Sequence, residues 1–241
     1  MGKEVRKFIQ VPDAPLKIYE FPDKELKYSI GIDTATGVGQ DYTVMQVLSN
    51  TVPFEQVAMF RAKWSVVDAA KFANDLGHYY NQAMICVETN YPGNAVQDAL
   101  IQTYRYPRNY QAEQHLDEAP NVSTKYGFQT TQASKWLLIR EMQSALKSNE
   151  IVLHDRQTLE ELGTYVYIED KSKTGAAQGL NDDCVMGIML AYHIAMMWPQ
   201  KLKKPEKRTL SGDALQHKSL MDKFMKKLIN EGINGKPVEI L

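Results

Sequence analysis

Apolar residues occur in the first third of the chain as short, closely spaced runs. Three runs rich in Val, Ile, Met and Phe follow one another between residues 28 and 62, with Gly, Pro, Asn or Thr between them. Runs of this length and composition predict β-strands, and their close succession predicts an antiparallel meander. The strands are expected at Tyr28–Asp33, Tyr42–Ser49 and Phe54–Ala62.

From residue 66 onward, the apolar residues mostly follow the spacing of helices. Ser65 is a typical N-cap residue, and Pro199 ends the last apolar stretch. Helices are expected at Val66–Asn81, Gly93–Tyr104, Gln132–Lys147, Gln157–Tyr165 and Asp182–Trp198, and further strands at Met84–Glu88 and Ile151–Leu153. The small, polar segment Lys171–Gly179 is predicted to be a mobile loop or a hairpin tip.

This order of elements predicts an α/β fold of the RNase H-like class. Such a fold is a mixed sheet, with an antiparallel meander plus parallel strands and with helices on both faces. We expect it to occupy residues 28–200. The Pro-rich, charged residues 1–27 are predicted to be a linker or arm, and residues 201–241 a tail with a helix at Leu210–Asn230.

Composition and charge narrow the function classes. The chain has 241 residues, 44% of them hydrophobic, which suffices for one sizeable core. Two cysteines exclude a disulfide framework and a four-cysteine zinc site. No apolar run reaches the roughly 18 residues of a membrane helix, and the first residues lack a signal-peptide core. We therefore expect a protein that is neither membrane-bound nor secreted.

The net charge of −1 is unevenly distributed. Residues 201–241 have a net charge of +5, so the preceding 200 residues have −6. A basic tail on an acidic body indicates a polyanionic or acidic partner, and a solvated amphipathic helix is the alternative.

Acidic residues stand at the ends of three apolar elements. Asp33 ends the first strand, Glu88 ends the strand at Met84–Glu88, and Asp182 and Asp183 open the last helix. Sites in open α/β sheets form outside the carboxyl ends of strands, so these side chains are expected to converge. A carboxylate cluster of this kind suits two Mg²⁺ or Mn²⁺ ions, which together catalyse phosphodiester hydrolysis.

Small residues support this convergence. Asp183, Gly187, Ala191 and Ala195 follow an i, i+4 ridge that lets the last helix lie close to the sheet. The ridge directs Asp183 toward Asp33, whereas Asp182 is turned aside by about a hundred degrees. Each acid also has an ordinary structural alternative: the Asp pair as a helix cap, and Asp33 as the start of a turn.

The same residues resemble the nuclease motifs of viral large terminase subunits, over about residues 28–198. The segment that resembles the first motif is Ile-Gly-Ile-Asp33-Thr-Ala-Thr-Gly-Val-Gly-Gln-Asp41-Tyr-Thr. The segment that resembles the second motif is Val-Glu88-Thr-Asn-Tyr-Pro-Gly, and the one that resembles the third is Asn181-Asp182-Asp183. Two departures are evident. The third motif often has His where this chain has Asn181, and the family's packaging ATPase is missing, since no Gly-x-x-x-x-Gly-Lys-Ser/Thr phosphate loop occurs.

The resemblance implies a metal-dependent endonuclease that cuts concatemeric viral DNA during genome packaging in the host cell cytoplasm. By position, Asp33, Glu88 and Asp183 are the implied catalytic metal ligands, with Asp182 and Asp41 auxiliary. The implied cofactor is two Mg²⁺ or Mn²⁺ ions. The implied partners are double-stranded DNA, the portal of the procapsid and the small terminase subunit.

Basic residues are candidates for contacts to the DNA backbone, because Lys and Arg bind phosphates. Lys171 and Lys173 precede the Asp pair, and Arg105 and Arg108 lie between tyrosines. Lys125, Lys135 and Arg140 would extend the same track. The alternative for these residues is a solvated surface.

Three other functions are compatible with the pattern. The acid cluster also suits another RNase H-like nuclease, such as a RuvC-type Holliday-junction resolvase or a transposase. The first strands resemble those of an actin-like ATPase, which would need a second Gly-rich phosphate loop. A non-enzymatic packaging module, with structural acids, is the third.

Overall fold

The structure, a computed structural model, describes residues 14–35, 42–112, 125–168, 173–176 and 182–200. The strands are β1 (Leu16–Ile18), β2 (Tyr28–Asp33), β3 (Thr43–Ser49), β4 (Phe54–Ala62), β5 (Met84–Val87), β6 (Gln111–Ala112), β7 (Lys125–Tyr126), β8 (Ile151–Val152), β9 (Tyr165–Ile168) and β10 (Lys173–Ala176). The α-helices are α1 (Val66–Tyr79), α2 (Gly93–Asp98), α3 (Gln132–Lys147), α4 (Arg156–Thr164) and α5 (Asp183–Met197).

The central sheet is mixed, since it contains both antiparallel and parallel strand pairs. β2, β3 and β4 form the antiparallel meander predicted from the sequence. β5 pairs with the other side of β2 in parallel. The outer side of β4 is shared by β1, which is antiparallel to it, and β8, which is parallel to it.

Helices cover both faces of the sheet because the strand residues alternate in direction. Ile30 and Ile32 of β2 and Val47 of β3 belong to the apolar cluster that includes α1. Leu48 of β3 and Cys86 of β5 belong to the cluster that includes α3, α4 and α5. The two faces are therefore two separate hydrophobic layers.

α5 lies unusually close to β2. A Cβ atom on Gly31 would overlap the Gly187 carbonyl oxygen and the Ala191 nitrogen of α5. Ala191 and Ala195 are fully buried. The predicted small-residue ridge and its close approach to the sheet are confirmed.

Several elements differ from the sequence-based expectation. β1 lies inside the segment expected to be an arm, and it adds a strand that the prolines around it concealed. The helix expected at Gly93–Tyr104 is two pieces, since a π-helical turn at Ala99–Thr103 follows α2. Part of the segment expected to be a loop or hairpin tip is β10, which pairs with β9. The expected helix at Leu210–Asn230 lies outside the described residues.

A polar network joins Tyr19, which follows β1, to β3, β4 and α4. Gln46 donates to Thr158 Oγ1 at 2.8 Å, and Gln56 donates to Gln46 at 2.7 Å. Asp155 caps α4 by accepting from the Thr158 N–H at 2.7 Å. Tyr19 donates to the same carboxylate at 2.8 Å. These contacts fix α4 against the sheet, and α4 in turn holds the start of α5.

Candidate active site

Asp33 and Glu88 lie side by side at the carboxyl ends of two parallel strands. Ile32 pairs with Val87 across β2 and β5, and the Glu88 N–H donates to the Ile32 carbonyl oxygen at 2.9 Å. The Glu88 side chain is close enough to raise the pKa of the Asp33 carboxyl, by its charge and as a hydrogen-bonding neighbour.

α5 brings two further acids to the same edge of the sheet. Asp182 precedes the first turn and Asp183 begins it. Both are close enough to raise the pKa of the Asp33 carboxyl by their charge. Asp183 Oδ2 also accepts from the backbone N–H of Tyr42 at 3.2 Å, which fixes Asp183 beside the start of β3.

The first turn of α5 is capped by another helix rather than by its own acids. Asp182 makes no side-chain cap hydrogen bond. Glu161 of α4, which is 4% exposed, accepts from the Cys184 N–H at 2.8 Å. Asp182 therefore does not cap α5 through its side chain, whereas Asp183 lies in the first turn, where its charge also favours the helix dipole.

The clustering of acids raises the pKa of Asp33 well above its usual range. Burial is the largest cause, followed by the charge of Glu88 and its hydrogen bond, and then by the charges of Asp183 and Asp182. Like charges in a desolvated site favour the protonated form. A cation placed between these acids would favour their ionised forms.

A lysine faces the cluster from α3. Lys135 Nζ lies 3.6 Å from Asp182 Oδ2 and 5.7 Å from the centroid of the Tyr165 ring. Burial acts to lower the pKa of Lys135, but Tyr165, Asp182 and Glu88 together outweigh it, and the pKa is raised. The ammonium group is therefore charged at neutral pH.

The chemistry of these donors fits a hard divalent cation. The four acids supply oxygen ligands, which Mg²⁺ and Mn²⁺ prefer. Burial raises the pKa of the neighbouring Cys86 thiol well above its usual range, so it stays protonated. Among the described residues, no three acid, histidine or cysteine side chains are arranged so that they could hold a metal ion.

Solved structures that are similar to this chain include nucleases of phage large terminases. No family model matches the sequence. The large terminase nuclease of thermophilic phage G20c with bound magnesium has a TM-score of 0.63 and 19% identity, over 80% of this chain and 90% of that one. The same nuclease with bound cobalt has a TM-score of 0.62 and 20% identity, with the same coverage. The Thermus phage P74-26 large terminase nuclease domain has a TM-score of 0.59 and 18% identity, over 81% and 90%.

The chain has the fold of a phage large terminase nuclease domain. The RNase H-like class predicted from the sequence is thereby confirmed, and so is the predicted resemblance, at the level of the fold. The mixed sheet and the helices on both faces agree with this class.

The structure of this terminase-like domain brings together four of the acids singled out in the sequence: Asp33, Glu88, Asp182 and Asp183. Their role as metal ligands stays a prediction. Asp41, the fifth predicted ligand, lies outside the described residues.

Of the predicted DNA-binding residues, Arg105 and Arg108 precede β6, and the Arg108 carbonyl oxygen accepts from the Ile85 N–H at 2.9 Å, at the start of β5. Glu88 follows the other end of that strand. The Arg108 guanidinium lies 4.8 Å from the centroid of the Trp198 ring. Lys171 and the side chain of Lys173 lie outside the described residues, so DNA contact by all four stays a prediction.

Sequence reasoning missed three residues that shape the site. Glu161 and Tyr42 bind backbone or side-chain groups at the start of α5 across long sequence separations. Lys135 was assigned only to a general phosphate track, without its place beside Asp182. One signal for Glu161 was available: it lies one turn after buried Thr158, on the inward face of an amphipathic helix.

Proposed function

We propose that this chain is a metal-dependent DNA endonuclease, the nuclease part of a terminase large subunit. It hydrolyses phosphodiester bonds of concatemeric viral DNA during genome packaging. The observation that carries the proposal is the meeting of Asp33, Glu88, Asp182 and Asp183 at one sheet edge. The fold supports it, since similar phage terminase nucleases were crystallised with bound magnesium or cobalt.

In this proposal, Asp33, Glu88 and Asp183 are the main ligands of two Mg²⁺ or Mn²⁺ ions. When bound, the ions supply an activated water and stabilise the leaving oxygen. A cation bound between the acids would favour the ionised form of Asp33, whose pKa the neighbouring acids raise. Tyr42 holds Asp183 in place through its N–H, and Glu161 holds the first turn of α5. Asp182 and Asp41 are auxiliary.

The wider role rests on the resemblance to terminases. The substrate is double-stranded DNA, and the partners are the portal of the procapsid and the small terminase subunit. The basic residues 201–241 are the candidate docking segment. In the described residues, no helix combines the length and apolarity needed to span a bilayer. From the resemblance to terminases, we propose that the protein works in the host cell cytoplasm.

Cleavage of supercoiled plasmid tests the proposal. The full chain should nick and linearise the plasmid in Mg²⁺ or Mn²⁺ and be inactive in EDTA. Asp33→Asn should abolish cleavage, whereas Asp98→Asn, at an exposed acid on α2, should cleave like wild type. No metal-dependent cleavage by the folded wild-type chain would refute the proposal and favour a non-enzymatic packaging module.

Substrate choice separates the proposed function from its nearest rivals. We expect linear duplex to be cut with little sequence preference, and binding to weaken steeply with salt because phosphate contacts dominate. A strong preference for four-way junctions would indicate a resolvase. Tight ATP binding would indicate an actin-like ATPase.

A further inference from the structure

The start of α3 is tied to the strand end that carries Glu88. The Thr89 N–H donates to the Phe128 carbonyl oxygen at 2.9 Å, and the Phe128 N–H donates to Val87 at 2.8 Å. Asn90 donates to the Thr130 carbonyl oxygen at 2.9 Å. α3 then begins at Gln132 with a capping box on Thr131. The backbone hydrogen bonds between residues 87–90 and 128–130 therefore hold Lys135, in the first turn of α3, close to Glu88.

The ammonium group of Lys135 is held at the rim of the acid cluster. Its side chain is 22% exposed. Asp182 Oδ2 lies 3.6 Å from Nζ, longer than a direct hydrogen bond, and the centroid of the Tyr165 ring lies 5.7 Å from Nζ. An ammonium has three donors, so at least one N–H remains for a ligand.

Charge makes a phosphate the expected ligand of this donor. Four acids surround the site, and the negative charge of a DNA phosphate would be repelled by them. Two bound divalent ions would remove most of that repulsion. The ammonium group of Lys135, beside Asp182, adds a further positive charge on the side of the cluster formed by α3. This charge does not depend on bound metal.

We propose that Lys135 contacts a non-bridging oxygen of the scissile phosphate and is thus a substrate-binding residue of the active site. The inference rests on the proposed nuclease function. The competing possibility is that Lys135 only neutralises Asp182 until metal arrives. The two possibilities differ in DNA affinity, because only a phosphate contact contributes to it.

Three variants test this assignment. Lys135→Met keeps length and removes the charge, and Lys135→Arg keeps the charge and the donors. Lys147→Met is the matched control: Lys147 is exposed on the same helix, 12 residues on, or about 18 Å along its axis. Circular dichroism checks that each variant folds.

Two readouts are needed. The first is binding of a fluorescent duplex oligonucleotide, measured by anisotropy in Ca²⁺. The second is plasmid cleavage in Mg²⁺, with the Mg²⁺ midpoint recorded. We expect Lys135→Met to lose about 10-fold or more in DNA affinity and about 100-fold in cleavage. Lys135→Arg should recover most of the affinity, and Lys147→Met should match wild type.

Wild-type DNA affinity in folded Lys135→Met would overturn the assignment. If that variant also needed less Mg²⁺, Lys135 would be a counter-ion only. If the wild-type chain binds duplex but never cleaves it, the proposed function fails. The affinity comparison would still decide whether Lys135 contacts DNA.

Discussion

At the residue scale, adjacent Asp182 and Asp183 have different surroundings. Asp183 is in the first turn of α5 and accepts from Tyr42, whereas Asp182 precedes the helix and faces Lys135. The different contacts imply different roles for two chemically identical side chains, which amide substitutions can separate.

We expect Asp183→Asn to fold normally and to lose at least about 100-fold in cleavage, since it removes a main metal ligand. Asp182→Asn should retain measurable activity that Mn²⁺ partly restores. Plasmid cleavage across Mg²⁺ and Mn²⁺ titrations measures both, with circular dichroism as the folding control. Full activity in folded Asp183→Asn would falsify the assignment. If Asp182→Asn were inactive at the same time, Asp182 would be the main metal ligand and Asp183 the auxiliary one.

The raised pKa of Asp33 predicts a pH-dependent cost to stability. A carboxyl whose pKa is higher in the folded state destabilises the fold once pH exceeds its unfolded pKa, about 3.9. The cost grows until pH exceeds the folded pKa. Asp33→Asn removes this cost, so the metal-free variant should melt at a higher temperature than wild type at pH 7. The difference should vanish below about pH 4.

Thermal melting with and without Mg²⁺ measures this prediction. Mg²⁺ should raise the Tm of wild type, because metal binds the ionised acids of the folded state, and should raise that of Asp33→Asn much less. Asp98→Asn should behave like wild type at each pH. An Asp33→Asn variant that is less stable than wild type at pH 7 would contradict this prediction.

At the element scale, the contact between α5 and β2 sets the distance between Asp183 and Asp33. A Cβ on Gly31 would overlap the backbone of α5, which cannot move aside, whereas a Cβ on Gly187 would closely approach only side chains, Gln46 Cγ at 3.1 Å and Val44 Cγ1 at 3.3 Å, which need to shift by a few tenths of an ångström. Gly31→Ala should therefore cost about 1–3 kcal/mol of unfolding free energy and reduce cleavage. Gly187→Ala should cost less, as the matched substitution in the same interface.

Urea unfolding gives both stabilities, and cleavage at saturating Mg²⁺ gives both activities. The prediction requires Gly31→Ala to be the more damaging variant on both measures. Equal and small effects would mean that α5 shifts without moving Asp183.

Local rules explain which elements were predictable. Asp33 and Glu88 each stand at the end of an apolar strand. Because parallel strands have their carboxyl ends at the same edge of a sheet, the sequence was enough to predict that these two side chains lie close together. β1 was missed because it is three residues long among prolines and is stabilised by β4, from more than 35 residues away. Lys135 and Glu161 were missed as site residues for the same reason: their partners are Asp182 and Cys184, which only tertiary packing brings near.

At the scale of the whole molecule, Gln200 joins segments that lie far apart in the sequence. The Gln200 N–H donates to the Asn50 carbonyl oxygen at 2.6 Å. Its side chain accepts from the Lys27 N–H at 2.7 Å and donates to the Glu25 carbonyl oxygen at 2.6 Å. One residue therefore joins the segment before β2, the end of β3 and the segment after α5.

The hydrogen bonds of Gln200 determine where the basic residues 201–241 can be removed without loss of stability. A chain ending at Gln200 keeps these contacts and the four acids, so it should fold and cleave DNA like the full chain, because residues 201–241 contain no predicted ligand. A chain ending at Trp198 loses three hydrogen bonds, each contributing about 0.5–1.5 kcal/mol, and should melt at a lower temperature. Melting curves and plasmid cleavage of both truncations test this. A stable chain ending at Gln200 that no longer cleaves would mean that the tail holds DNA.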